Sequence, residues 1–288
     1  MDGVINILKP PQMTSFDVVH YIRKITKEKK VGHTGTLDPM AVGVLPVCIG
    51  KATKIVDYLM NGEKTYICEM KFGNVSDTFD RYGKFALPQD KEVSIDYHKL
   101  KEVIDDFTGV IYQKPPAYSA IKINGERAYN LARKGIEVDL KERKIEIYNI
   151  DIKQINSQSV LMEVKCSKGT YIRSLCNDIG QKLGCGAYMN FLLRTKTGNF
   201  HINNSYTLEE LSNMDISSAL IKIDDAINLN SIYVNKRYTK SILNGNSIPI
   251  DYDVKNENEE FKIYINENTF AGIGYVKQGN LYVKKLLI

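Results

Sequence analysis

The segment from Val31 to Val47 concentrates residue types that can do chemistry. It holds three glycines, two prolines, an imidazole at His33 and a carboxylate at Asp38. Because Asp38 precedes Pro39, its backbone is biased toward an extended conformation, and the glycines let the chain pass close to other groups. The pattern predicts a carboxylate held in a fixed loop, either as a turn residue that caps local N–H groups or as a reactive group.

The composition narrows the class of protein. The 288-residue chain is 43% hydrophobic and 25% charged, and its formal charge of +5 permits a polyanionic partner. Its five cysteines contain no Cys-x-x-Cys pair, and its four histidines lack metal-ligand spacing. No apolar run reaches the ~18 residues of a membrane span, and neither a signal-peptide pattern nor a nucleotide-binding loop is present. We therefore expect a cytoplasmic monomer without membrane contact, metal or cofactor.

Hydrophobic periodicity predicts the elements that hold this loop. A short apolar strand over residues 4–8 precedes Thr14, which forms a capping-box pattern with Asp17. The helix that follows ends in the lysine-rich stretch 27–30, and its predicted apolar face consists of Phe16, Val19, Ile22 and Ile25. Beyond the loop we expect a buried strand over 44–49 and a helix over 52–60.

Tyr66 lies in a segment with the two-residue period of a half-buried strand, since it alternates with polar positions together with Cys68, Met70 and Phe72. The polar loop 74–83 follows and contains Asp80, and an amphipathic helix around Leu100 is stopped by Gly109. Basic residues are then interleaved with tyrosines, a composition that suits RNA because cations contact phosphates and rings stack on bases. This basic-aromatic segment includes Tyr112, Lys114, Tyr118, Lys122, Arg127, Tyr129, Arg133 and Lys134.

Arg173 is placed against its local electrostatics. Strands are predicted over 143–155 and 160–166, and a helix with Thr170 as N-cap puts Arg173 in the first turn, at the positive end of the helix dipole. A cation in that position calls for a carboxylate partner. The chain then continues with closing strands over 191–194 and 198–202 and a capping box at Thr207 and Glu210.

The composition shifts near residues 228–232. We expect a helix over 234–244 ended by Gly245, an acidic loop over 251–260, and short strands over 261–265, 269–276 and 281–287. The whole pattern predicts an α+β fold: a mixed, largely antiparallel sheet with flanking helices over residues 1–230, and a small β-rich domain over 231–288.

The string from Gly32 to Pro46 resembles the catalytic motif of the bacterial tRNA pseudouridine-55 synthase family, and further matches recur over roughly residues 3–215. The resemblance implies isomerisation of uridine to pseudouridine in the T loop of tRNA, by base flipping, cleavage of the N1–C1′ bond and reattachment through C5. It also implies an RNA-gripping insert over about 110–136 and a PUA-like RNA-binding domain at the C-terminus.

By this resemblance Asp38 is the catalytic carboxylate, Arg173 is its partner, and the Tyr66 ring stacks on the uracil. Burial raises a carboxylate pKa whereas a nearby guanidinium lowers it by ~1–3 units, and we expect Arg173 to decide the balance in favour of the ionised form. His33 is suited to stack in the gap left by the flipped base. The remaining expected contacts to RNA or to the pocket are Asp80, where Phe79 replaces the family's usual serine before it, Lys122, Tyr171 and Leu192.

Other interpretations stay open on the residues alone. Asp38 and Asp80 suit a glycoside hydrolase, although the chain has no tryptophan on which to stack sugars. A non-catalytic tRNA-binding or folding module, or a relative that acts with a guide RNA and partner proteins, would also use the basic-aromatic segment. The sequence does not choose among attack of the carboxylate on C6, attack on C1′, and removal of the 2′ proton.

Overall fold

The structure is a computed structural model that describes residues 1–119, 121–123, 125–136, 138–251 and 259–288. Positions 120 and 124 of the expected insert and 252–258 of the expected acidic loop lie outside the described residues. In chain order the strands are β1 (Gly3–Lys9), β2 (Val31–His33), β3 (Val42–Ile49), β4 (Lys64–Phe72), β5 (Gly109–Gln113), β6 (Lys122–Ile123), β7 (Glu126–Arg127), β8 (Arg143–Ile155), β9 (Ser159–Cys166), β10 (Ala187–Thr197), β11 (Phe200–His201), β12 (Asn230–Tyr233), β13 (Ile248–Pro249), β14 (Glu260–Ile265), β15 (Thr269–Lys277) and β16 (Asn280–Leu286).

The helices are short and flank the sheets. They are α1 (Ser15–Thr26), α2 (Val56–Met60), α3 (Tyr97–Asp105), α4 (Ala128–Arg133), α5 (Ile172–Leu183), α6 (Leu208–Asn213), α7 (Ile223–Ala226) and α8 (Thr239–Leu243). A 3-10 helix, Gly50–Ile55, precedes α2, so the helix expected over 52–60 is present as a 3-10 helix followed directly by a short α-helix. No helix in the described part of the chain combines the length and apolar character needed to cross a membrane.

One large sheet organises the N-terminal part. Its strands follow the order β1-β3-β10-β4-β9-β8-β5, with β2 beside β3 and β11 beside β10. The β3–β10 pair is parallel and the other pairs are antiparallel. The α+β class with a mixed, largely antiparallel sheet is therefore confirmed. Because β10 lies between β3 and β4, Arg194 is opposite Gly43 on one side and Tyr66 on the other.

The core lies where α1, α3 and α5 cover one face of this sheet. Alternate residues of β4 enter it, as the two-residue period predicted: Tyr66, Cys68, Met70 and Phe72 are buried. The C-terminal strands form a second sheet in the order β12-β14-β15-β16-β13. Its Ile273 and Leu287 pack in one apolar cluster with Val44 of β3, so the two sheets share buried surface.

The predicted apolar face of α1 is wrong at Phe16, whose side chain is 61% exposed. The Thr14–Asp17 capping box is present, but the face that meets the core is Ser15, Val18, Val19 and Ile22. The Ser15 hydroxyl accepts a hydrogen bond from the Leu37 amide at 2.9 Å. This bond turns the start of the helix toward the Asp38 loop, and Phe16 therefore faces outward.

Two helix starts also differ from expectation. The Thr170 hydroxyl donates to the Ser167 carbonyl instead of capping, so α5 begins one residue later, after Tyr171. The single helix expected over 234–244 is wrong, because Val234 extends β12 by donating its amide to the Tyr264 carbonyl. Asn235 then caps a 3-10 turn that precedes α8.

Candidate active site

The Asp38 loop joins β2 to β3 and is fixed from three sides. The Ala41 amide donates to the Asp38 carbonyl at 3.0 Å, which closes a turn. The Leu37 amide donates to Ser15. The Lys9 ammonium, at the end of β1, donates to the Pro39 carbonyl at 3.1 Å. These bonds and the buried side chain of Leu37 present the Asp38 side chain, which stays 35% exposed, at the surface of the core.

Arg173 is the partner of that carboxylate. Its Nη2 donates to Asp38 Oδ1 at 3.1 Å and to the Tyr118 carbonyl at 2.8 Å, and its Nη1 donates to the Thr78 carbonyl at 3.4 Å. The arginine side chain is only 6% exposed. In the described residues Asp38 accepts no hydrogen bond from its own loop, so the loop-cap interpretation does not describe its carboxylate. The structure thus joins two residues that lie 135 positions apart.

The pKa of Asp38 lies above its ordinary value. Burial is the largest cause, Arg173 opposes it, and the Asp80 carboxylate adds a further upward push. The expectation that the guanidinium outweighs burial is therefore wrong in the net direction. Arg173 instead limits the rise, and its two carbonyl acceptors keep it aimed at the carboxylate.

Asp80 belongs to a tight polar turn beside this pair. Its Oδ1 accepts from the Thr78 hydroxyl at 2.8 Å and from the Tyr82 amide at 2.9 Å. Phe79, just before it, has φ +62°, a left-handed conformation that bulky residues rarely adopt. The Phe79 carbonyl accepts from the Met189 amide of β10, which holds the turn against the sheet.

Tyr66 lies beneath the loop, and next to it is Arg194, a residue that the sequence reasoning missed. Arg194 is 1% exposed, and it donates from Nε to the Val44 carbonyl at 2.8 Å and from Nη2 to the Gly35 carbonyl at 3.1 Å. Burial raises the pKa of Tyr66 to about 12, and Arg194 opposes that rise. Arg194 is two residues after Leu192, so strand alternation placed both side chains on the core face.

Lys9 is the second residue missed. It is fully buried, and its ammonium donates to the carbonyls of Pro10, Met13 and Pro39. Burial lowers its pKa to about 8, while the nearby Asp38 charge raises it. Its position before Pro10-Pro11, at the end of an apolar strand, was the available sequence signal.

His33 lies on β2 at the edge of the loop. Its Nδ1 accepts from the Gly35 amide at 3.3 Å. Burial, followed by the charges of Arg194 and Arg127, lowers its pKa below the ordinary value, so the ring is neutral at pH 7. The influence of Arg127 means that the basic-aromatic segment comes close to this edge.

The other predicted site residues are distributed around the pair. Tyr171 is the N-cap of α5, its ring centroid lies 6.0 Å from the Arg173 guanidinium, and its backbone amide and carbonyl are both held by the Gln113 side chain. Leu192 is buried in the core on β10. Lys122 is exposed on β6, paired with Arg127 of β7, and no contact joins it to Asp38 in the described residues. Across those residues no group of three or more His, Cys, Asp or Glu side chains is arranged to hold a metal ion.

A loop aspartate paired with a buried arginine near a strand tyrosine, on a mixed and largely antiparallel sheet, is the arrangement expected of a pseudouridine synthase. The model of the TruB family pseudouridylate synthase N-terminal domain matches residues 23–172. The tRNA pseudouridylate synthase B C-terminal domain matches 173–227, and the C-terminal model of pseudouridine synthase II TruB matches 231–287. The chain belongs to the TruB family of pseudouridine synthases.

Relatives and solved structures agree with that membership. The chain is 48% identical over 290 residues to a tRNA pseudouridine synthase B of Clostridium acetobutylicum, and 47% identical over 291 residues to one of Clostridium tetani; each match covers 100% of both chains. A Cbf5-Nop10-Gar1 complex contains a chain of similar fold, with TM-score 0.76 and 27% identity, covering 99% of this chain and 85% of that one. An H/ACA RNP bound to a substrate RNA containing 2′-deoxyuridine gives TM-score 0.75 and 25% identity with the same coverage.

Proposed function

We propose that this protein isomerises uridine to pseudouridine at position 55, in the T loop of tRNA, with Asp38 as the catalytic carboxylate. The observation that carries the proposal is the Asp38–Arg173 pair, a partly open carboxylate whose orientation is fixed by a buried guanidinium. The curated relatives at 47–48% identity carry the name of this activity over their full length. A glycoside hydrolase and a non-catalytic module are both disfavoured by that membership.

The chemistry breaks the N1–C1′ bond of the uridine, turns the uracil and joins C5 to C1′, while one proton leaves C5 and N1 gains one. No oxidation occurs. Asp38 starts the reaction as an anion by attacking C6 or C1′ or by removing the 2′ proton, and all three routes use the same ionised oxygen. Arg173 orients this oxygen through a fork that is itself held by the Tyr118 and Thr78 carbonyls.

The other pocket residues have separate roles in this proposal. The Tyr66 ring stacks on the uracil from its buried strand position, and Leu192 closes the apolar floor. His33 stacks in the space that the flipped base leaves, as a neutral ring, which offsets part of the few kcal/mol needed for unstacking. Asp80 supports the site through its turn, and Tyr171 packs beside Arg173.

The surrounding parts bind RNA. In this proposal residues 1–230 are the catalytic domain, and their insert, about 110–136, grips the T stem-loop with Lys122 in contact with phosphate. Residues 231–288 form the PUA-like RNA-binding domain. The protein works as a cytoplasmic monomer without metal or cofactor, and it acts without a guide RNA.

The decisive experiment gives purified protein alone a T-stem-loop transcript labelled with tritium at C5 of the target uridine. Wild type should release tritium, and mapping should place pseudouridine at that one position. Asp38→Asn should abolish tritium release while its RNA affinity stays within a few-fold of wild type. The matched control is Asp77→Asn, which changes an exposed carboxylate in the neighbouring turn and should keep tritium release. Full activity in Asp38→Asn, or no product from wild type without added RNA or protein, would overturn the proposal.

A further inference from the structure

The turn that holds Asp80 also displays a cation on an aromatic ring. The Arg81 guanidinium carbon lies 4.9 Å from the centroid of the Tyr82 ring. Both side chains are exposed, Tyr82 to 51%. A tyrosine with this exposure leaves apolar ring surface in contact with water.

The backbone beneath the pair is held rigidly. The Tyr82 amide donates to the Asp80 carboxylate, and the Arg81 amide donates to the Met189 carbonyl of β10 at 3.0 Å. The turn has no room for a larger residue at Gly83, where an added Cβ would lie 2.3 Å from the Thr78 hydroxyl oxygen. The backbone that carries the ring and the guanidinium is therefore fixed by the fold.

The exposed side of this turn carries two cationic side chains, Arg81 and Lys84. The carboxylates of Asp77 and Asp80 accept backbone amides of Lys84 and Tyr82, so they serve the turn itself. Arg81 and Lys84 have no carboxylate partner among the described residues. The exposed side of the turn carries Arg81, Lys84 and the Tyr82 ring beside the exposed Asp77, and a cation next to a ring suits a nucleobase joined to phosphates.

The same turn borders the reactive pair. The Thr78 carbonyl accepts from Arg173, and the Asp80 charge acts on the pKa of Asp38. Tyr82 follows Asp80 by two residues. Because this turn contacts Arg173, it is a candidate to meet the nucleotides that flank the one delivered to Asp38.

We propose that Arg81 and Tyr82 form a stacking platform for an unpaired base of the substrate RNA adjacent to the flipped uridine, with Arg81 also contacting its phosphate. This inference rests on the proposed function and deepens it, because it names where the strand next to the target is held. The platform secures the displaced strand, so it acts on RNA affinity rather than on bond cleavage.

The test compares Tyr82→Ala, Tyr82→Phe and Arg81→Gln with Tyr97→Ala, an equally exposed tyrosine on α3. A T-stem-loop with 2-aminopurine beside the target uridine reports stacking by fluorescence quenching, and filter binding gives Kd. Tyr82→Ala should weaken binding about tenfold and lose the quenching, because the variant removes one base–aromatic stack. Tyr82→Phe should retain both. Arg81→Gln should reduce the slope of log Kd against log salt by about 0.7.

The outcomes separate this inference from the function on which it rests. A Kd within twofold of wild type for Tyr82→Ala, or an equal loss in Tyr97→Ala, overturns the platform. If wild type still forms pseudouridine in that case, the proposed function stands. Absence of product from wild type overturns the function and the platform together. A loss of activity that is confined to the Tyr82 and Arg81 variants and appears as a higher KM supports the platform.

Discussion

The Arg173 nitrogen that contacts Asp38 at 3.1 Å also donates to the Tyr118 carbonyl at 2.8 Å. Tyr118 belongs to the basic-aromatic segment, so the orientation of the Asp38 carboxylate depends on the element proposed to grip RNA. The Thr78 carbonyl ties the same guanidinium to the Asp80 turn. Three parts of the chain distant in sequence therefore determine where one carboxylate oxygen lies.

Arg173→Met should move the acidic limb of the pH dependence of kcat/KM to higher pH. Burial already raises the pKa of Asp38, and the guanidinium is the main opposing influence. Removing it raises that pKa further, so a larger fraction of Asp38 is protonated and inactive at a given pH below neutrality. Tritium release from pH 4.5 to 8 measures the shift. Lys182→Met, on the exposed end of α5, should leave the limb in place, and an unshifted limb in Arg173→Met contradicts the coupling.

Asp38→Asn should change stability in a pH-dependent way. The pKa of Asp38 is higher in the folded protein than in the unfolded chain, so the native state binds more protons in that interval and its stability falls as pH rises through it. The asparagine variant lacks this loss. Its free energy of unfolding relative to wild type should therefore increase from pH 3.5 to pH 7, as measured by urea titration at each pH. A relative stability that declines over this range contradicts the raised pKa.

His33→Ala should weaken productive engagement of RNA more than chemistry. The lowered pKa extends the neutral form of the imidazole to lower pH, so in the proposed role His33 contributes a stacked ring and not a positive charge. KM for the T-stem-loop should rise several-fold, and His33→Phe should recover part of the loss. Between pH 6.5 and 8 the Kd of wild type should show no titration step, so the pH profiles of wild type and His33→Ala should have the same shape. A defect as deep as that of Asp38→Asn with unchanged affinity would contradict the stacking role.

Much of this arrangement was readable in the sequence, for reasons that differ by residue. The alternation around Tyr66 predicted its burial, because a strand with one buried face repeats every two residues. The position of Arg173 in the first turn of a helix indicated that it needed a carboxylate. The α1 capping box was correct, although the tertiary hydrogen bond from the Leu37 amide to the Ser15 hydroxyl turned Phe16 outward.

For the buried cations the sequence carried only a positional signal. Lys9 and Arg194 are satisfied mainly by backbone carbonyls, most of which only the folded chain brings to them. Periodicity treats charged residues as exposed, since they are rarely buried without a partner. The left-handed conformation of Phe79 was not predicted for a related reason, because it follows from the pairing of its turn with β10.

Gly43→Ala should destabilise the protein far more than Gly109→Ala. Both glycines have positive φ, +117° and +100°, so each substitution introduces strain of ~1–3 kcal/mol. A Cβ at Gly43 would also lie 2.2 Å from the Arg194 carbonyl oxygen, whereas nothing stands within 4 Å of one at Gly109. The clash separates β3 from β10 at the parallel pair, and the Asp38 loop that enters β3 moves with it. Urea unfolding should show a loss of at least ~3 kcal/mol for Gly43→Ala against ~1 for Gly109→Ala, with activity lost only in the first. Equal losses would mean that the close approach of Arg194 does not hold the loop.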